Sequence, residues 1–218
     1  DGDWEFRLTV TTVNGAKSYQ KTVRIDPFLK LGFPAYGHRF AGTYYLGDGL
    51  NTVVADLNGD GKAEILASPP AAGPLYAVDH HGQALPGWPL NRGLAFPAAK
   101  DMDGDGAAEV AINIFNTSEM AVVSAGGLFL PGWPQNLGNS YGTAPVFADI
   151  EGGSQLEVIA GYNGRLYAYR KDGTLLPGWP IGGQGVLGGR LVSTCAADLD
   201  GDGKQEVLTL DLGSGGAT

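Results

Sequence analysis

The chain has 218 residues, a formal net charge of −9 and 36 glycines. That length supports one sizeable core or two modest ones. The acidic balance argues against nucleic acid or an anionic membrane as partner. No apolar run approaches the ~20 residues needed to span a bilayer, and Cys195, the only cysteine, rules out an internal disulfide.

Glycine density, with 13 prolines, means frequent turns. No stretch is free of helix breakers for long, so the composition predicts an all-β fold of short strands. Residues 1–26 alternate bulky and polar residues on either side of Asn14-Gly15, a hairpin signal. They read as the last two strands of an immunoglobulin-like or polycystic-kidney-disease-like sandwich. The alternative is an extra hairpin packed on the next domain. Residues 27–31 read as a linker. The abrupt start at Asp1 and the ending GSGGAT predict a fragment of a longer protein.

From residue 32 a repeat takes over. The loop Asp56 to Glu64 (DLNGDGKAE) recurs at Asp101 to Glu109 (DMDGDGAAE) and at Asp198 to Glu206 (DLDGDGKQE). A worn copy lies at Asp149 to Glu157 (DIEGGSQLE), so the steps between opening aspartates are 45, 48 and 49 residues. A second motif, LPGWP, keeps the same period at 85–89, 130–134 and 176–180. In the third copy, APVFADI enters the loop and LEVIAGY leaves it. Asn163-Gly164 then turns the chain into RLYAYR, and TLLPGWP reads as a fourth strand at an outer edge. Four short antiparallel strands in ~45 residues is the size of a propeller blade. The segment LGFPAYG (31–37) reads as a weakened LPGWP. The expected architecture is a β-propeller of four-stranded blades, about three and a half of them within residues 32–218, with further blades downstream.

The loops suit a hard cation. They offer side-chain oxygens at positions 1, 3 and 5, a backbone carbonyl at 7 and a carboxylate at 9, and calcium takes 6–8 oxygens. Gly61, Gly106 and Gly203 permit the sharp turn after position 5. An EF-hand is excluded, because position 12 is Ala67, Ile112 or Thr209 and a strand follows. The competing reading is an Asp/Gly turn held by loop amides without metal. That reading is preferred for the worn copy. There Gly153 lacks a side-chain oxygen and Glu151 is too long for its position, so Asp149 and Glu157 are expected to hold the turn by hydrogen bonds. Loops of this kind in extracellular modules bind calcium at about 10⁻⁴–10⁻³ M, which is useful outside the cell. Three Ca²⁺ ions, six positive charges, would bring the formal −9 to −3.

The pattern D-x-[DN]-x-D-G-x-x-E on this period resembles the FG-GAP/VCBS repeats. These build the β-propeller of integrin α-subunit heads and of many bacterial secreted proteins. The Phe-Gly/Gly-Ala-Pro signature itself is poorly kept, with Gly142-Thr143-Ala144-Pro145 the nearest match. The resemblance implies calcium at about three loops. Its ligands would be Asp56, Asn58, Asp60 and Glu64; Asp101, Asp103, Asp105 and Glu109; and Asp198, Asp200, Asp202 and Glu206. Lys62, Ala107 and Lys204 would give carbonyls at position 7. It further implies a non-catalytic, calcium-stabilised module of a secreted or cell-surface bacterial protein. Such a module would bind an extracellular protein or glycan or display neighbouring domains of the same chain. The alternatives are an accessory region of a secreted subtilisin-like peptidase and part of a propeller polysaccharide lyase.

Catalytic motifs are not found. His80-His81 reads as a solvated hairpin turn, and His38 stands alone. Cys195, in LVSTCAADL, reads as a small buried core residue on an inner strand. Trp88, Trp133 and Trp179 read as packing between blades, with sugar stacking as the alternative. Tyr162, Tyr167 and Tyr169 do not make a site by alternation.

Overall fold

Short apolar runs separated by turn residues build antiparallel strands, and a computed structural model shows how they stack. It describes residues 3–12, 15–24, 51–68, 73–92, 94–114, 117–138, 142–153, 155–162, 164–182 and 191–211. The expected linker 27–31, the segment 31–37 and His38 lie outside these.

Strands β1 (Asp3–Thr12) and β2 (Gly15–Arg24) form a two-stranded antiparallel ribbon. Its register closes on Thr12 opposite Gly15, so Gly15 belongs to the strand rather than to the turn.

The first repeat forms a sheet of β3 (Asn51–Ala55), β4 (Glu64–Ser68) and β5 (Tyr76–Val78). A bridge between Leu75 and Leu90 stands where a fourth strand would be. The second sheet holds β6 (Leu94–Lys100), β7 (Glu109–Ile114), β8 (Glu119–Val123) and β9 (Gln135–Asn136). The third holds β10 (Val146–Ala148), β11 (Glu157–Tyr162), β12 (Arg165–Tyr169) and β13 (Ile181–Gly182). Last come β14 (Leu191–Ala197) and β15 (Glu206–Asp211). All pairings within the four repeat sheets are antiparallel and sequential, the meander of a propeller blade.

The sheets stack face to face. In β7, Val110, Ile112 and Ile114 pack with Leu66, Leu75 and Ala77 of the first sheet. The alternate residue Ala111 faces the other way, onto Val158, Ala160 and Tyr162 of β11. In turn, Ile159 of β11 packs toward Ala196 and Val207 of the fourth sheet. Period-2 alternation thus serves two neighbours at once. That is why β7 and β11 are buried at every position and read as unbroken apolar runs. The first strands of successive sheets meet, β3 with β6, β6 with β10 and β10 with β14.

Two expectations need correction. LPGWP is not the fourth strand. It is a reverse turn, with the Trp N–H donating to the Leu carbonyl at 3.1 Å in all three copies. The glycines Gly87, Gly132 and Gly178 have φ of 88°, 82° and 83°, as position i+2 of a type II turn requires after proline. Each copy ends in a cis Trp–Pro bond. The fourth strands, β9 and β13, begin just after the motif. Cys195 is exposed rather than buried. Ala196 takes the face toward the third sheet, so its neighbour Cys195 points to the opposite face, beside the exposed Leu208 that pairs with it.

Candidate metal loops

Each loop connects the first strand of a sheet to the second, and its own carboxylates fold it. In the first, Asp56 accepts the amides of Gly59 (2.8 Å), Asp60 (3.2 Å) and Gly61 (2.7 Å). Asp101 accepts those of Gly104 (2.7 Å) and Gly106 (2.9 Å). Asp198 repeats this with Gly201 (2.7 Å) and Gly203 (3.0 Å). Partial burial works against the charge on Asp101, but these amide bonds outweigh it and hold its carboxyl below the usual range. At position 5, Asp60, Asp105 and Asp202 each accept the position-7 amide at 2.8 Å. These are the residues Lys62, Ala107 and Lys204.

Position 9 closes the loop. Glu64, Glu109 and Glu206 are the first residues of β4, β7 and β15, and their Oε2 atoms accept the position-2 amides of Leu57, Met102 and Leu199 at 2.8–3.1 Å. The structure brings positions 1, 3 and 9 together. The ligand oxygens of Asp101, Asp103 and Glu109 lie within 4.8 Å of one another, as do those of Asp198, Asp200 and Glu206. In the first loop the position-3 residue is Asn58, whose Oδ1 accepts the Asp60 amide at 2.9 Å.

The first loop contains an orphaned atom. Glu64 is fully buried, and its Oε1 has no hydrogen-bond partner. Burial chiefly, together with the Asp60 and Asp56 charges, pushes its carboxyl above the usual range despite the Leu57 amide. A buried carboxylate oxygen without a donor is costly. A cation in this loop would remove that cost, so the residues present fit the metal.

The worn loop is held as expected. Asp149 accepts Gly152 (2.6 Å) and Gly153 (3.0 Å), and Glu157 Oε2 accepts the Ile150 amide at 2.9 Å. Glu151 is engaged outside the loop, in a bidentate ion pair with Arg170 at 2.7 and 2.8 Å.

The loops also bond to one another. Ala108 N–H donates to the Asp56 carbonyl and Gln205 N–H to the Asp149 carbonyl, both at 2.8 Å, while Leu156 N–H donates to the Met102 carbonyl at 2.9 Å. Lys171 was missed in the sequence. It lies in the turn after β12, yet its Nζ donates to Glu109 Oε1 at 2.8 Å and to Asp103 Oδ2.

The tryptophans are packing residues. Trp88 and Trp133 are buried, and their Nε1–H groups donate at 2.7 Å to the carbonyls of Ala125 and Lys171 in the next sheet's turn. Neither indole face is open for sugar stacking. Tyr162 and Tyr169 are buried between the second and third sheets, which pushes both phenols up to about 12. His80 and His81 lie in a turn closed by Asp79, which accepts the His81 and Gln83 amides at 2.8 Å.

With this geometry in place, comparison with known proteins adds a family signal. Residues 154–209 match the profile of the FG-GAP-like repeat. Over those residues the chain is similar to FG-GAP-like repeats, and its stacked antiparallel sheets are propeller-like. Among solved structures, the V. cholerae biofilm matrix protein Bap1 is similar at 25% identity with a TM-score of 0.51, over 74% of this chain. The chain spans only 28% of that protein. An Agrocybe aegerita lectin, described as recognising non-reducing terminal N-acetylglucosamine, is similar at 19% identity over 76% of this chain and 48% of its own. Its TM-score is 0.41. No curated protein sequence matches.

Proposed function

We propose that this chain is a calcium-stabilised, non-catalytic FG-GAP-type module that acts outside the cell in binding or domain display. The buried, unpartnered Oε1 of Glu64 is the observation that supports the metal most directly. Asp56, Asn58, Asp60 and Glu64, with the Lys62 carbonyl, would hold one ion. Asp101, Asp103, Asp105 and Glu109 with the Ala107 carbonyl, and Asp198, Asp200, Asp202 and Glu206 with the Lys204 carbonyl, would hold two more. The ion would neutralise the acid cluster and tie the first strand of a sheet to the second. Millimolar calcium against a Kd of about 10⁻⁴–10⁻³ M would add roughly 0.4–1.4 kcal/mol per site. Calcium at that level is an extracellular condition. The likeness to a biofilm matrix protein supports the same address and a binding role, with a glycan or protein as partner.

The test is a thermal melt of the full chain in calcium and in EDTA. Calcium is expected to raise the melting temperature and EDTA to lower it. Identical melts in both would overturn the metal assignment. A glycan array and protein pull-down with the chain in calcium would test the binding role.

A further inference from the structure

The first and second loops differ in what meets the position-9 glutamate. In the first, Glu64 Oε1 is buried without a partner. In the second, the same atom of Glu109 accepts the ammonium of Lys171 at 2.8 Å. That ammonium also bonds Asp103 Oδ2. Glu109 and Asp103 are two of the three acids whose oxygens converge within 4.8 Å. A cation therefore already stands among the candidate ligands of this loop, and it comes from the neighbouring sheet.

The placement of Lys171 is fixed by its backbone. Its carbonyl accepts the indole N–H of the buried Trp133 at 2.7 Å. The matching acceptor for Trp88, one repeat earlier, is Ala125. The two sheet junctions are thus built alike, and alanine replaces lysine at the position from which a side chain can reach the loop. Burial alone would lower the pKa of Lys171, but its bonds to Asp103 and Glu109 more than offset this and hold it above the ordinary lysine range. The side chain remains about one-third exposed (32%), so it has a route to solvent.

We propose that Lys171 is a tethered competitor for calcium at the loop Asp101–Glu109, setting its affinity below that of the loop Asp56–Glu64. This rests on the calcium reading above. An ammonium offers one positive charge and three donors, whereas Ca²⁺ needs 6–8 oxygens at once. Both cannot use Glu109 Oε1 and Asp103 Oδ2 together, so an entering ion must release the lysine to water. The second loop therefore has an internal counter-charge at low calcium, and among the described residues the first has none. On calcium depletion the second loop empties first but regains the lysine as counter-charge, whereas the first empties later and its junction with the second sheet weakens more.

The experiment is calcium titration calorimetry on the full chain, with melts in EDTA, for wild type, Lys171→Met and Ala125→Lys. Lys171→Met is expected to tighten one site about tenfold, the equivalent of ~1.4 kcal/mol, and to lower the melting temperature in EDTA. Ala125→Lys places the competitor at the first loop. It is expected to weaken one strong site by a similar factor and to raise the melting temperature in EDTA. It also keeps the test decisive if Lys171→Met fails to fold. Wild type that binds calcium, with unchanged affinities in both variants, would overturn the competitor role alone. Wild type that binds no calcium would overturn the calcium reading and this inference with it.

Discussion

The position-9 glutamate shows how one carboxyl can fold a loop and also leave it incomplete. In Glu64, Oε2 takes the Leu57 amide and Oε1 takes nothing. Glu64→Gln keeps an acceptor for that amide and removes the buried charge. In EDTA the variant should be more stable than wild type by about 1–3 kcal/mol, and in millimolar calcium it should lose the calcium-dependent rise in melting temperature. The acid range adds a sign. The folded pKa of Glu64 lies above its unfolded value. The cost of the ionised form is therefore present above the folded pKa and relieved as pH falls through it. The advantage of Glu64→Gln in EDTA should shrink on acidification, which paired melts across that range would show. The glutamate itself was legible, because its place in a nine-residue pattern repeats. Lys171 was not, since its partners lie 68 and 62 residues away and no spacing rule connects them.

At the level of the element, LPGWP was readable as a repeat but not as a turn. Its apolar residues imitate a strand, and only the positive φ at the glycine reveals the reversal. The glycine also admits the next sheet. A Cβ on Gly132 would lie 1.9 Å from the Asp172 carbonyl oxygen, whereas one on Gly138, with φ of 93°, meets nothing within 4 Å. Gly138→Ala should cost only the backbone strain, about 1–2 kcal/mol. Gly132→Ala adds a clash between sheets and should cost about 2–5 kcal/mol in all. Equal midpoint shifts on urea unfolding would contradict this account of the junction. The exposed ion pair of Glu151 with Arg170 belongs to the same scale. Glu151→Ala is expected to leave the calcium-dependent part of the melt unchanged, whereas Asp60→Ala reduces it.

Across the whole chain, the period was the clearest signal, because two unrelated motifs keep one interval of 45–49 residues. The direction each strand faces was harder to read. Strands buried on both sides, such as β7 and β11, lack the polar alternation that assigns faces. Cys195 shows the result, since an apolar strand context suggested burial and the fold gives exposure. Stacked sheets with neighbour-only interfaces should respond locally to damage. Trp133→Phe removes one hydrogen bond, worth about 1 kcal/mol. Hydrogen exchange should quicken in β8 and β12 and stay unchanged in β4, and uniform quickening would count against independent junctions.

The first two junctions are each clasped twice, in opposite senses, and the third shows the Gln205 amide bonded to the Asp149 carbonyl. An indole of one sheet reaches forward to a carbonyl in the next, and a loop amide of the later sheet reaches back to a carbonyl in the earlier one. Under mechanical load neither clasp can share force beyond its own pair of sheets. Pulled from its two ends, the repeat region should yield one sheet at a time. The force–extension trace would be a sawtooth with steps of about 150–175 Å, the extended length of one 45–49 residue period.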